Sequence, residues 1–195
     1  MTVGVVLLAA GGSSRLGQPK QLVIHQGQSL VRRAARVAVA LDAGPVLVVL
    51  GARHEAVSAE LEDLPVRRVE NPDWARGPGG SLRAGLEALL ALDDAPPVEA
   101  VLVMLCDQVR VETSHLRALV EAWRTTGRPV VASGYEGTRG VPALFGREVF
   151  EELRALSPEQ GARGVIAREP SRVATVPLPH GGEDVDTPQD LRRLR

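Results

Sequence analysis

Residues 9–20 read AAGGSSRLGQPK and follow an apolar run without a break. Paired glycines at 11 and 12 permit positive φ and close backbone approach, so consecutive N–H groups can converge on an anion, while Arg15 and Lys20 add full charge. The segment reads as a triphosphate cradle made of Ala9, Ala10, Gly11, Gly12, Ser13, Arg15 and Lys20. A plain surface turn would explain the glycines but not both cations. Two better-known cradles do not fit. A Walker A loop needs G-x-x-x-x-G-K-[ST], and here Gln18 and Pro19 separate Gly17 from Lys20. A dinucleotide fingerprint needs G-x-G-x-x-G opening a helix, a spacing that Gly11, Gly12 and Gly17 lack. Lys20 is also the only lysine among 23 basic residues. Either it survives by chance on a solvated surface, or a compact ammonium on a thin stem is needed where a planar guanidinium does not fit.

A carboxylate completes such a cradle. Asp107 directly follows VLVMLC, which puts it at the carboxyl end of the most apolar strand candidate. One well-placed Asp there can anchor Mg²⁺, because that ion takes one or two carboxylates and completes its shell with substrate phosphate and water. The competing role, capping the next helix, is weakened because that helix starts only at Thr113 or Ser114. Cys106 has no obvious activating histidine and reads as a core thiol. In NPDWARGPGGSLRAGLEAL, residues 71–89, a glycine-rich turn precedes Ser81, a plausible N-cap. In EDVDTPQDL, Thr187, Pro188 and Asp190 form a helix start by themselves. They leave Asp184 and Asp186 unexplained: two apart in an extended segment, these side chains point the same way. They form either a second metal ligand or a solvated acidic turn.

The elements that must position these residues follow from the hydrophobic pattern. Continuous apolar runs at 3–9, 46–50 and 101–106, with a weaker one at 129–133, predict parallel strands buried on both faces. Helical patterns at 29–42, 53–62, 81–92 and 113–125 alternate with them, which predicts an α/β sheet with right-handed crossovers. The last third is less regular, with strands expected at 142–146 and 172–176 and helices near 147–156 and 160–168. Ligands of such sheets collect outside the carboxyl ends of the strands, so the segments after residues 9, 50, 69 and 106 are where a site belongs.

Composition narrows the partners. At 195 residues and a net charge of −1, one domain is the default, with no basic face for nucleic acid. Aromatic residues at 3% argue against stacking along single strands. One cysteine excludes an internal disulfide and the four histidines are scattered, so neither a zinc site nor an oxidising compartment is implied, and a cytoplasmic protein is expected. The opening VGVVLLAAGG lacks the positive flank of a signal peptide. No stretch is long enough to span a bilayer.

Residues 8–22, LAAGGSSRLGQPKQL, match throughout the signature L-A-A-G-x-S-x-R-[ML]-G-x-P-K-x-L, and the chain thereby resembles the nucleotidyltransferases that act on the molybdenum cofactor. Further blocks are similar: CDQ at 106–108, with Val109 in place of a proline; Asn71 and Trp74 ahead of Gly80-Ser81-Leu82; the block around Pro142, with Val141 in place of a histidine; Gly161-Ala162-Arg163, with Pro158-Glu159 in place of Gly-Asp; and Asp184-Val-Asp-Thr-Pro. Ala9-Ala10-Gly11, where guanylyltransferase members carry Ala-Gly-Gly, leans toward cytidine. The resemblance implies a Rossmann-like three-layer α/β/α nucleotidyltransferase fold, of nucleotide-diphospho-sugar transferase type with a mostly parallel sheet, as a single NTP-transferase domain over 1–195. It implies Mg²⁺-dependent transfer of a cytidylyl group from CTP to molybdenum-bound molybdopterin, with a molybdenum hydroxylase apoenzyme as a further partner. The roles carried over are catalysis for Arg15, Lys20 and Asp107, base recognition for Gly79, Gly80 and Ser81, and metal binding for Asp107 and Asp186, with Asp184 as runner-up. Trp74 is either a base contact or a packing anchor. Two alternatives stay open: a sibling enzyme using GTP or another phosphorylated acceptor, and a non-catalytic protein that delivers nucleotide or cofactor to a molybdenum hydroxylase.

Overall fold

The computed structural model describes residues 1–13, 16–185 and 187–193. In chain order its strands are β1 (Thr2–Ala9), β2 (Ile24–His25), β3 (Gln28–Ser29), β4 (Val46–Leu50), β5 (Arg67–Glu70), β6 (Val98–Leu105), β7 (Val130–Tyr135), β8 (Thr138–Gly146) and β9 (Val173–Pro177). Its α-helices are α1 (Leu30–Val39), α2 (His54–Ala59), α3 (Pro78–Leu90), α4 (Thr113–Thr126), α5 (Phe150–Arg154), α6 (Arg163–Arg168) and α7 (Pro188–Arg193). Seven strands form one sheet in the order β5-β4-β1-β6-β8-β7-β9, and β2 with β3 forms a small hairpin that leads into α1.

The three-layer, mostly parallel architecture follows from strand side-chain alternation. Val3, Val5 and Leu7 of β1 face a core shared with α1 and α4, while Val6 joins α3, α5 and α6 on the other side. Both faces of β4 are buried along its length, as a continuous apolar run requires. Helix α3 lies very close to the sheet. A Cβ on Gly85 would stand 2.6 Å from Val6 and 2.8 Å from Val49, so only glycine permits this approach.

Three features differ from the sequence expectation. The strand expected at 142–146 starts at Thr138 and runs antiparallel, inserted between β6 and β7. The cause is the turn Glu136-Gly137, with φ values of 50° and 75°, a two-residue hairpin loop whose twist matches the flanking strands. β5, whose sequence is RRVE, carries no apolar pattern because it is an edge strand pairing only with β4. Helix α3 begins at Pro78 rather than Ser81, so Gly77 is the N-cap and Ser81 lies inside the first turn. Proline at the first helical position pre-sets φ for that start. Elsewhere β1, β4, α4 and β9 lie within a few residues of expectation. Thr187 and Asp190 make the anticipated reciprocal cap, with Thr187 N donating to Asp190 Oδ2 at 2.8 Å and Asp190 N to Thr187 Oγ1 at 3.3 Å.

Candidate active site

The carboxyl ends of β1, β4, β5 and β6 meet at one edge of the sheet, and the loops after them carry the candidate residues. A small apolar cluster of Leu16, Val23, Leu30, Val109 and Val185 clamps three of these segments together: the first loop, the turn after Asp107 and the stretch after Asp184.

The first loop is braced by Gln21, which is only 2% exposed. Its Nε2 donates to the carbonyls of Ala9 at 2.9 Å and Gly11 at 2.7 Å. The carbonyl between them, Ala10 O, accepts from Ala52 N at 3.0 Å. Three successive carbonyls are thus engaged by the protein. The N–H groups of Gly11, Gly12 and Ser13 have no acceptor among the described residues. Ser13, at φ 53°, places its Oγ to accept from Lys20 N at 3.0 Å. The result is a loop with donors unspent and acceptors engaged, which suits an anion. Sequence reasoning missed Gln21; its only signal is a polar residue on the buried side of a helical turn.

Lys20 and Asp107, expected to have separate duties, form an ion pair. Lys20 Nζ stands 2.5 Å from Asp107 Oδ2, and the carboxylate side chain is 6% exposed. An ammonium engages one carboxylate oxygen end-on, whereas an arginine fork takes both. Asp107 does not cap α4, which begins at Thr113. Cys106, its neighbour, is buried, and burial pushes its thiol far above the ordinary range, with the Asp107 charge adding to the effect. It is inert as a nucleophile.

These groups line a cavity of 370 Å³ whose wall combines the polar Lys20, Gln21, Ser81 and Asp107 with the apolar Leu8, Ala10, Trp74, Pro78 and Leu105. Asn71, which is 6% exposed, donates through Nδ2 to Ser81 Oγ at 3.0 Å and accepts from Asp73 N at 3.1 Å. The remaining proton of Ser81 is therefore available as a donor. Of the three residues expected at the base, only Ser81 lines this cavity. Gly79 lies under the 157–160 segment, where a Cβ would approach Ser157 O to 2.2 Å and Gln160 O to 2.4 Å, and its N–H donates to Pro158 O. Gly80 sits beside Asn71.

The far side of the site is built by the β7–β8 hairpin. Val141 O accepts from Gln108 Nε2 at 2.8 Å and from Tyr135 Oη at 3.3 Å. Ser133, fully buried, donates to Pro142 O at 2.6 Å and lies 2.7 Å from His115 Nε2. That serine–histidine pair is structural, since the serine proton is committed and solvent does not reach it. Gln108 also pairs with Asp184 through the backbone, which ties the Asp107 turn to the acidic segment. A 430 Å³ cavity lined by Arg110, Glu136, Glu183, Asp184 and Asp190 opens beside it. Arg15 and Asp186 lie outside the described residues. Among the described residues no cluster of three or more His, Cys, Asp or Glu side chains could enclose a metal by itself. No helix there is long and apolar enough to cross a membrane.

The chain as a whole is similar to known proteins. Nicotine blue oxidoreductase of Paenarthrobacter nicotinovorans is 32% identical over 200 residues, covering 97% of this chain and 94% of that protein. The crystal structure of Rv0371c from Mycobacterium tuberculosis H37Rv superposes with a TM-score of 0.82 at 28% identity, covering 100% of this chain and 97% of that one. A manganese complex of Rv0371c superposes with a TM-score of 0.77 at 27% identity, covering 100% and 98%. Residues 5–173 match the model of the MobA-like NTP transferase domain. By that match over residues 5–173, and with an ion-paired carboxylate and a cavity at the carboxyl edge of a three-layer sheet, the chain belongs to the MobA-like NTP transferase domain family and is a nucleotidyltransferase of that type.

Proposed function

We propose that this protein transfers a cytidylyl group from CTP to molybdenum-bound molybdopterin, giving the cytosine dinucleotide and pyrophosphate. The observation that carries this reading is the Lys20–Asp107 pair on the floor of the cavity, beside a loop whose donors are unspent. The triphosphate lies along Gly11, Gly12 and Ser13 with Lys20, and the resemblance carried by residues 8–22 supports adding Arg15 to it. The base lies against Trp74 and Pro78, where the Ser81 hydroxyl donates to a ring carbonyl. The acceptor's terminal phosphate oxygen attacks the α-phosphorus in line and pyrophosphate leaves. Positioning and charge neutralisation do most of this work. Gln21 keeps the loop carbonyls turned away from the phosphates. Lys20 neutralises the departing pyrophosphate.

A buried carboxylate that meets its ammonium through one oxygen suits a divalent ion that completes its shell from substrate phosphate. Asp107 would hold that ion, with Asp186 as the proposed second ligand and Asp184 as runner-up. When bound, the ion neutralises charge on the reacting phosphate. Mg²⁺ is the proposed metal, and the manganese complex of Rv0371c makes Mn²⁺ the comparison.

The test is pyrophosphate release with each of the four ribonucleoside triphosphates, Mg²⁺ or Mn²⁺, and molybdenum-loaded molybdopterin. Release with CTP that vanishes in Asp107→Ala supports the reading. Release with GTP alone, or only with another phosphorylated acceptor, replaces it with a sibling activity. Nucleotide binding without release points to a delivery role. The name of the 32% identical relative favours one further reading, an oxidoreductase. Consumption of reduced nicotinamide nucleotide, followed in the same preparations, decides for or against it.

A further inference from the structure

The 370 Å³ cavity and a second one of 630 Å³ on the β4 side share four lining residues, Gly11, Gly12, Gln21 and Trp74, and of the two large side chains among them Gln21 is tied to the loop carbonyls while Trp74 presents an aromatic face. Its indole spans the gap between two loops. A Cβ built on Gly12 would stand 2.8 Å from Trp74 Cζ3, and one built on Gly51 would stand 2.6 Å from Trp74 Cβ and 2.7 Å from Cγ. The far edge of the ring therefore rests on the phosphate loop and its root rests on the end of β4. Any side chain at either glycine would displace it.

The turn that carries the indole is tightly held. Trp74 N donates to Asn71 O at 3.2 Å, Arg76 N to Asp73 O at 3.0 Å and Gly77 N to Trp74 O at 3.2 Å, while Asn71 Oδ1 caps Asp73 N. Asn71 is itself fixed by Leu50 O and Ser81. The ring is a preset wall rather than a loose surface aromatic.

We infer that Trp74 sets the size of the base pocket and makes this enzyme selective for a one-ring base. Resting on the cytidylyl reading above, the inference adds the residue that enforces it. The indole fills part of the wall that the proposed base site shares with the second cavity. Without it that wall recedes, and a two-ring base gains room. Discrimination by pocket size alone typically amounts to about 10- to 200-fold, so this one side chain can carry most of the base choice.

The experiment is equilibrium binding of CTP and GTP, with Mg²⁺, to the wild type and to Trp74→Ala, Trp74→Leu and Trp74→Phe, with thermal melts recorded for each. The expected result is a preference for CTP that falls at least about tenfold in the Ala and Leu variants and is kept in Phe. A second measurement does not depend on those variants folding. Trp123, the other tryptophan, is buried on α4 away from the site, so in a Trp123→Phe background emission comes from Trp74 alone and CTP should quench or shift it. A wild type that prefers GTP, or binds no nucleotide, overturns the cytidylyl reading and this inference together. A wild type that prefers CTP, with an unchanged ratio in the variants or emission indifferent to CTP, overturns the inference alone.

Discussion

The two sides of the site are built by opposite means. On the β1 side, the loop from Ala9 to Lys20 is local: Gln21 bridges Ala9 O and Gly11 O, and Ser13 Oγ receives Lys20 N, all within about a dozen residues. On the β7–β8 side, Gln108 reaches Val141 and His115 reaches Ser133, 33 and 18 residues away, while Ser133 in turn holds Pro142 across the hairpin. A local polar network preorganises donors for a small anion without waiting for the rest of the fold. A long-range network holds two loops at a fixed distance, and its form depends on how the sheet is threaded.

This contrast sets the order of the expected effects. Asp107→Ala should be the most damaging to turnover, by on the order of a thousandfold or more, because it removes both a charge partner of Lys20 and the proposed metal anchor. Pyrophosphate release together with circular dichroism checks that activity is lost while the fold stays. Lys20→Ala should lower turnover by more than about a hundredfold, matching roughly 3 kcal/mol of transition-state stabilisation. Near-wild-type turnover would refute its assignment. Lys20→Arg sharpens the point: a fork that takes both oxygens of Asp107 competes with a metal, so the divalent-ion concentration needed for half-maximal rate should rise. An unchanged metal dependence with full turnover would remove the reason offered for this lone lysine.

Gln21→Leu tests the local side by itself. It leaves two loop carbonyls without their donor, a loss of about 1–3 kcal/mol when such groups are buried. Nucleotide affinity should fall by about tenfold with the melting temperature lowered only modestly. A large stability loss without an affinity change would make Gln21 merely a core residue.

The smallest effect belongs to the long-range side. Burial pushes the His115 imidazole below its ordinary value of 6.5. At pH above that value both folded and unfolded forms are neutral and His115 adds nothing to the pH dependence. Below it the unfolded chain takes up a proton that the native state resists, so stability falls as pH falls. Thermal melts between about pH 7 and about pH 5.5 should show a shallower decline in His115→Gln than in the wild type. His25, shifted the same way mainly by its own burial, with Arg33 and Arg110 adding, serves as the control. If His25→Gln alone removes the slope, the buried pair is not its source.

The sequence by itself determined the parts whose physics is local. An unbroken apolar run announced β6 and put Asp107 at its end, and Thr187 with Asp190 announced a helix start, while the glycines and two cations of the first loop led to the anion site proposed above. β5 was hidden because an edge strand needs no apolar face. The first turn of α3 was misplaced because Gly79 and Gly80 read as a loop until the 157–160 segment is seen packed on Gly79. Only the tertiary structure decided that Lys20 and Asp107 meet and that Trp74 lies across Gly12 and Gly51. Each of these is a meeting of strand ends, and which ends are neighbours is a property of sheet order that no window of residues contains.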